Sequence, residues 1–168
     1  MSLSFLPNAR RKEFAAIFRA HYPAVLAYFR RRSPGDVSEE LCAEVFERAW
    51  TGFDNLQGAP LPWLYGIARN VLLESYRCRQ RQADSADPAE LADAPAPSAS
   101  FAEHVDLSLD VNRALVALRP AEREILLLSA WEGLSPTEVA EVLDITPANA
   151  RVRLHRARAA LTELLEQS

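Results

Sequence analysis

Apolar residues recur at three- and four-residue spacing along most of the chain, which is the period of an α-helix. The first such pattern contains Phe14, Ile17, Val25 and Phe29, and the turn residues 33–36 interrupt it. A second pattern runs from about residue 38 to residue 53. A third helix is predicted to begin near residue 62, where proline suits the first turn, and to end in arginines at residue 81.

The second half of the chain predicts four more helices, over about 105–118, 120–132, 136–143 and 147–165. Gly133 occupies the position of a left-handed C-cap. The run Ser135-Pro136-Thr137-Glu138 has the form of a capping box, and Thr146-Pro147 repeats the cap-plus-proline signal. No strand pattern of any length is present, so the sequence predicts an all-α fold.

Residues 83–100 interrupt the helical periodicity. This stretch has 7 Ala and 3 Pro, small polar residues between them and no aromatic residue. Such a composition buries too little apolar surface to form a core, and it is typical of a linker. We therefore predict two small helical domains, over 10–82 and 108–168, joined by a flexible linker over 83–107. A short helix over 88–92 is the alternative reading of this segment.

Charge is segregated along the chain. The net charge is −4, but residues 1–81 hold 12 Lys and Arg against 8 Asp and Glu, and residues 82–107 hold 6 acids and no base. Because nucleic-acid binding depends on local patches, the net charge does not exclude it. Of the 19 basic residues only Lys12 is a lysine. The arginine bias suits phosphate and guanine contacts, and a GC-rich genome would also produce it.

Several classes of protein are not indicated. No apolar run is long enough to cross a membrane, and Arg10, Arg11 and Lys12 interrupt any signal-peptide pattern. Cys42 and Cys78 match neither a disulfide framework nor a metal site, and they are expected to be buried or half-buried thiols in a reducing cytosol. No catalytic constellation or glycine-rich phosphate loop is present, so we expect no enzyme activity, no cofactor and no metal.

The two predicted helices over 136–143 and 147–165, with a short turn between them, have the layout of a helix-turn-helix. The second helix carries Arg151, Arg153, Arg156 and Arg158, and no acid lies between residues 147 and 162. Arginine is the commonest specific reader of guanine in the major groove. This pattern favours duplex DNA binding over its alternative, a solvated helix that happens to be basic.

A second basic group lies near the end of the third predicted helix. It contains the arginines at 69, 77, 79 and 81, with aromatic residues at 63, 65 and 76 nearby. Basic groups beside aromatic rings suit single-stranded DNA, because any base can stack on a ring. The alternative is that the aromatic residues, Trp63 first among them, belong to the core.

Three ordered motifs carry a family resemblance. VSEELCAEVFERAW (37–50), PWLYGIARNVLLESYRCRQR (62–81) and EGLSPTEVAEVLDITPANARVRLHRARAAL (132–161) resemble regions 2.2, 2.3–2.4 and 4.2 of the extracytoplasmic-function (ECF, group 4) sigma factors of the sigma-70 family. The resemblance implies a cytoplasmic promoter-recognition subunit. Its partners would be core RNA polymerase, through the β′ clamp helices and the β flap, promoter DNA and an anti-sigma factor.

The resemblance also implies roles for individual residues. The −35 element would be read as duplex by Arg151, Val152, Arg153, His155, Arg156 and Arg158. The −10 element would be read as a melted strand by Asp54, Asn55, Leu56, Gln57, Gly58, Arg69, Asn70 and Arg77. The β′ subunit would meet Leu41, Glu44, Val45 and Arg48, of which Val45 is equally consistent with a core position. A stand-alone helix-turn-helix regulator that binds duplex DNA as a dimer is the alternative function.

Overall fold

The computed structural model describes residues 6–84 and 105–167, and in these ranges it contains seven α-helices and no strand. The helices are α1 (Leu6–Arg32), α2 (Gly35–Thr51), α3 (Pro60–Asp84), α4 (Leu109–Ala117), α5 (Pro120–Ala130), α6 (Pro136–Leu143) and α7 (Pro147–Glu166). A short 3-10 turn, Phe53–Asn55, lies between α2 and α3. The all-α prediction is confirmed.

The N-terminal domain consists of α1, α2 and α3, which pack on one another. Their apolar faces form its core, where Phe29, Val45, Leu64 and Leu72 are fully buried. Burial of these side chains supplies the main favourable free energy of the domain, since isolated helices are marginal in water.

The C-terminal domain consists of α4 to α7, and the starts of α6 and α7 follow the predicted capping signals. Ser135 and Glu138 form the capping box of α6, and the Thr146 side chain accepts a hydrogen bond from the Asn149 backbone N–H at the start of α7. Gly133 has a left-handed φ of 68° but is not the C-cap of α5, because that helix ends at Ala130 and Trp131 caps it with a right-handed φ of −95°. The turn before α7 contains a second left-handed residue, Asp144 at φ 53°, which the sequence pattern did not single out.

Several helix boundaries differ from the prediction. Helix α2 spans Gly35–Thr51 instead of about 38–53, α3 continues to Asp84, and α5 ends at Ala130, two residues before its expected end. The helix expected from residue 105 begins at Leu109, because the Ser108 side chain accepts a hydrogen bond from the Val111 backbone N–H and caps it there. Helix α3 begins at Pro60, two residues before the expected start, and proline again occupies the first turn. Predictions about residues 85–104, including the helix over 88–92, lie outside the described residues.

The two cysteines have different environments. Cys42 is buried in α2, and burial raises the pKa of its thiol to about 11. Cys78 is exposed, against the expectation of a buried or half-buried thiol, because it lies on the outward face of α3. In the described ranges, no helix is both long and apolar enough to cross a membrane.

The two domains pack directly against each other, which the sequence did not predict. Helix α6 lies on α3, and one continuous apolar cluster includes residues of both domains, among them Leu64 and Val139. Ion pairs between Arg69 and Glu124 and between Arg32 and Glu132 also cross this boundary.

Candidate nucleic-acid interface

Helix α7 is anchored by one narrow face. Ala150, Leu154 and Ala157 are at most 1% exposed, and their spacing places them on one stripe. The two alanines bring the α7 backbone close to the helices beneath it, since α7 packs on α4, α5 and α6. The rest of α7 faces solvent over its first four turns. This is the arrangement a helix needs in order to enter a major groove.

All six residues predicted to read duplex DNA lie on the exposed part of α7: Arg151, Val152, Arg153, His155, Arg156 and Arg158. Val152, His155 and Arg156 share one face by their spacing, and that face is opposite the buried stripe. Val152 is 47% exposed. These three positions therefore form the centre of the exposed surface.

The remaining α7 arginines differ in their partners. Arg153 Nε donates to Asn149 Oδ1 at 2.9 Å, and an Arg158 guanidinium nitrogen donates to Ser129 Oγ at 3.3 Å. These bonds hold two guanidinium groups along the helix surface. Arg151 and Arg156 have no such partner within the part of the chain that the structure describes, so their guanidinium groups are available to a ligand.

The loop between α2 and α3 presents the predicted strand-reading residues. Phe53 is only 7% exposed and anchors the 3-10 turn in the core. Four of the five predicted residues are exposed and Leu56 is half-buried: Asp54, Asn55, Leu56, Gln57 and Gly58. Gly58 has a left-handed φ of 79°, a conformation that glycine adopts without steric cost. The loop therefore projects a row of hydrogen-bonding groups into solvent.

Arg10 of α1 fixes this loop, and sequence reasoning did not find it. Its Nε donates to Asp54 Oδ1 at 3.0 Å, and another guanidinium nitrogen donates to the Trp50 carbonyl at 3.0 Å. The guanidinium also lies 4.1 Å from the centroid of the Trp50 ring. One side chain thus connects the end of α2, the loop and α1. The partners are 40 and 44 residues away, so no local signal could have revealed them.

The other residues predicted to read the −10 strand lie on helix α3 and differ in their exposure. Asn70 and Arg77 are exposed. Arg69 is not freely available, because its guanidinium donates to both carboxylate oxygens of Glu124, with Nε to Oε1 at 2.5 Å. This bond is the main cause of the raised pKa of Arg69.

The aromatic residues of α3 belong to the interior. Tyr65 is 2% exposed and Tyr76 is 7% exposed, while Trp63 is half-buried against the core. The Tyr76 hydroxyl donates to the Arg32 carbonyl at 2.5 Å. In this conformation the core reading of these rings is the correct one, and stacking of bases on Tyr65 or Tyr76 is excluded by their burial.

The residues predicted to meet the polymerase separate into core and surface. Leu41 and Val45 are 7% and 0% exposed, so they hold α2 to its neighbours and form no docking surface. Glu44 and Arg48 lie at the surface, where Arg48 donates to Glu44 at 2.5 Å and to Glu74 of α3 at 2.6 Å. The Arg48 hydrogen bond lowers the pKa of Glu74. The only surface candidates in this set are therefore charged.

The described residues include no group of His, Cys, Asp and Glu that could hold a metal ion. Besides Arg10, sequence reasoning missed four polar residues that pair across the domain boundary: Arg31, Arg32, Glu124 and Glu132. Each lies in a different helix or helix end from its partner, so periodicity gave no signal for the pairing.

Comparison with known proteins agrees with this geometry. Residues 17–82 match the family model described as "Sigma-70 region 2", and residues 108–161 match "Sigma-70, region 4". The chain is 31% identical over 135 residues to "ECF RNA polymerase sigma factor EcfG" of Rhodopseudomonas palustris. This match covers 77% of this chain and 72% of that protein.

Two further similarities extend the comparison. The chain is 38% identical over 139 residues to "Probable RNA polymerase sigma factor RfaY" of Xanthomonas campestris pv. campestris; the match covers 77% of this chain and 34% of that protein, about a third of its length. The solved structure of sigma factor RpoE, in complex with anti-sigma factor NepR from Bartonella quintana, is similar with a TM-score of 0.66 and 27% identity. It covers 92% of this chain and 98% of that one.

The fold and its exposed arginine helix define a two-domain helical DNA-binding protein. The matches to both sigma-70 regions, in the expected order, are more specific. The chain belongs to the ECF RNA polymerase sigma factors of the sigma-70 family.

Proposed function

We propose that this chain directs core RNA polymerase to specific promoters and initiates transcription there. The C-terminal domain reads the −35 element as duplex, and the N-terminal domain reads the −10 element as a separated strand. The observation that carries the proposal is the presence of two separate exposed surfaces with hydrogen-bonding side chains in one sigma-70 chain. One is the solvent face of α7, and the other is the loop over 52–58.

The −35 assignment is supported by the chemistry of α7. Arg156 lies at the centre of its exposed face, and Arg151 lies at its edge. Neither has a hydrogen bond or an ion pair with any residue that the structure describes. An arginine fork can donate to O6 and N7 of one guanine, which discriminates between bases. Val152 offers an apolar contact to a thymine methyl group beside them.

The −10 assignment is supported by the loop after α2. A base that leaves the duplex loses its pairing and stacking, so its pocket must replace those interactions. Asn55, Gln57 and Asn70 supply amide groups that both donate and accept hydrogen bonds. Arg10 holds the loop in one conformation before DNA arrives, which lowers the entropic cost of binding.

The remaining parts of the function concern the partners. Glu44 and Arg48 are the surface residues of α2 that we assign to contact with β′, and the β flap is assigned to the C-terminal domain. The chain supplies recognition and no catalytic chemistry of its own, and it acts in the cytoplasm with the polymerase. The similarity to a sigma factor solved with an anti-sigma factor supports an anti-sigma partner for this chain as well.

Run-off transcription with purified core polymerase tests the proposal. Genomic fragments are transcribed with core alone and with core plus the chain, and start sites are mapped. We expect transcripts that need the chain and that share one −10 and one −35 sequence. A chain that forms a dimer, binds duplex DNA alone and is not retained by core polymerase in a pull-down would instead be a stand-alone regulator.

A further inference from the structure

The face of the N-terminal domain that meets the C-terminal domain is strongly basic. Arg31 and Arg32, at the end of α1, both donate to the carboxylate of Glu132, and Arg69 of α3 donates to Glu124. We call these five residues the interdomain cluster. Three guanidinium groups come from one domain, and two carboxylates come from the other.

The carboxylates fill a site that the N-terminal domain has already built. The Arg32 guanidinium lies 4.0 Å from the centroid of the Tyr28 ring and donates to the Tyr28 carbonyl at 3.2 Å. The Tyr28 ring is 5.5 Å from that of Tyr65, which in turn precedes Arg69 by one helical turn. These contacts lie within one domain. They would persist if the C-terminal domain moved away.

Burial makes the pairing obligatory. The Glu132 side chain is 0% exposed and that of Arg32 is 1% exposed. A buried guanidinium without an anionic partner is strongly unfavourable. When Glu132 and Glu124 leave, three clustered positive charges become exposed, and another anion is favoured in their place.

The position of the site indicates which anion. Arg69 directly precedes Asn70, which the proposed function places at the separated −10 strand. Arginine forks bind phosphate in the same two-bond geometry in which they bind carboxylate. The phosphates on either side of a base read at Asn70 would therefore come within reach of this surface.

We propose that Arg31, Arg32 and Arg69 form a DNA phosphate-binding site, and that Glu124 and Glu132 occupy it in the closed chain as substitutes for phosphate. Domain closure and binding of the −10 strand then exclude each other. This inference rests on the proposed function for the place of the strand. It adds Arg31 and Arg32 to the DNA-contacting residues and gives Glu124 and Glu132 an inhibitory role.

The test uses the full chain without polymerase. A spin label on the exposed Cys78 of α3 and a second on Glu163→Cys of α7 report the distance between the domains, while Cys42 is buried and stays unlabelled. The DNA probe is a short dye-labelled single strand of mixed sequence, because a phosphate site does not depend on sequence. The central variant is Glu124→Gln/Glu132→Gln.

We expect this variant to lengthen the interdomain distance and to tighten binding of the probe by about 5- to 150-fold, the usual range of coupling between two sites. The matched control, Glu40→Gln/Glu166→Gln, removes the same charge from exposed positions and should change both quantities far less. Adding Arg31→Gln and Arg69→Gln to the central variant should reverse the gain and lower the salt slope by about 1.4, at roughly 0.7 for each phosphate contact on a single strand.

Three results would overturn the inference. The first is an opened, folded chain that binds the probe no better than the control variant. The second is a folded variant that stays closed. The third is opening by sodium phosphate at matched ionic strength with no gain in DNA binding, which would indicate a site for free phosphate. If circular dichroism shows that the double variant does not fold, Glu124→Gln alone repeats the test, because Glu132 still pairs with Arg32.

Failure here is separable from failure of the proposed function. Run-off transcription reports whether the chain works as a sigma factor, and it does so without reference to closure of the free chain. Chain-dependent transcripts together with an unchanged probe affinity would reject the interdomain site alone.

Discussion

Replacement of Arg156 by alanine tests the assignment of α7 most directly. Arg156 shares the face opposite the buried stripe of α7 and has no hydrogen bond or ion pair within the described residues, so its loss leaves the domain itself intact. The neighbouring residue Ala157 is 0% exposed, so the face that anchors α7 begins one residue away and does not include Arg156. We therefore expect the effect of Arg156→Ala to appear in DNA binding and not in thermal stability.

The magnitude follows from the contact that Arg156 can make. A bidentate arginine–guanine pair discriminates by about 1–3 kcal/mol, which is about 5- to 150-fold in affinity. Arg151→Ala should behave in a similar way. Arg153→Ala and Arg158→Ala should lose less, because these side chains are already bonded to Asn149 and Ser129.

The assay compares duplexes that carry the mapped −35 element with duplexes in which that element is scrambled, at several salt concentrations. If Arg156 reads a base, its loss weakens binding to the intact element and has little effect on the scrambled one. If it contacts only phosphate, binding weakens uniformly and the salt slope falls by about 1. The control is Arg113→Ala, which removes an exposed arginine from α4 of the same domain.

Either result for Arg156 identifies α7 as a DNA-contacting helix. The assignment fails if Arg156→Ala and Arg151→Ala both match the Arg113 control on the intact element. It also fails if transcription from promoters that depend on the −35 element is unchanged.

Four further predictions use other parts of the molecule. Asn70→Ala should impair opening of the −10 region more than it impairs binding to the closed duplex, and permanganate footprinting measures the opening. If the variant opens the −10 region as well as the unmodified chain at saturating holoenzyme, Asn70 is not part of the site. Glu74→Gln should lower the melting temperature at neutral pH, because the fold depresses the pKa of Glu74 and the charged carboxylate therefore stabilises the folded state. The difference in melting temperature between the variant and the unmodified chain should disappear as the pH falls through the folded pKa. A difference that persists in acid would contradict this prediction. Ser135→Ala should cost about 0.5–2 kcal/mol in urea denaturation by removing the α6 cap, with Ser129→Ala as a comparison that leaves every cap in place. If the six acids of the linker, from Asp84 to Asp106, act as a nucleic-acid mimic, replacing them with Ser or Asn should lower transcription initiation, most strongly at low salt. Equal transcription at every salt concentration would mean that the linker acts only as a tether.

Local signals in the sequence carried much of the fold. A helix is encoded by residues three and four apart and by the few side chains at its ends. Ser135 and Thr146 were therefore sufficient to place the starts of α6 and α7. The basic surface of α7 could also be predicted from the sequence, because a stretch of a capped helix that contains arginines and no acid has few purely structural explanations.

The tertiary structure decided which candidates share a surface. Leu41 and Val45 occupy the core, while Glu44 and Arg48 on the same helix remain at the surface. The sequence left Tyr65 and Tyr76 open between base stacking and the core, and the tertiary structure places both in the core, where they contact Tyr28 and Arg32 of α1. Burial depends on which helices meet, and periodicity in one helix does not specify its neighbour.

Long-range pairing was beyond the reach of the sequence. Arg32 and Glu132 are 100 residues apart, and Arg69 and Glu124 are 55 apart, so nothing in their local contexts connects them. In a sequence, such charged residues cannot be distinguished from residues of a solvated helix surface, because only the fold shows that a second domain covers them. The sequence determined the helices, their caps and the basic reading helix, because those depend on nearby residues. The closed arrangement of the two domains was decided only by the packing of α6 on α3, which brings distant charges into one buried cluster.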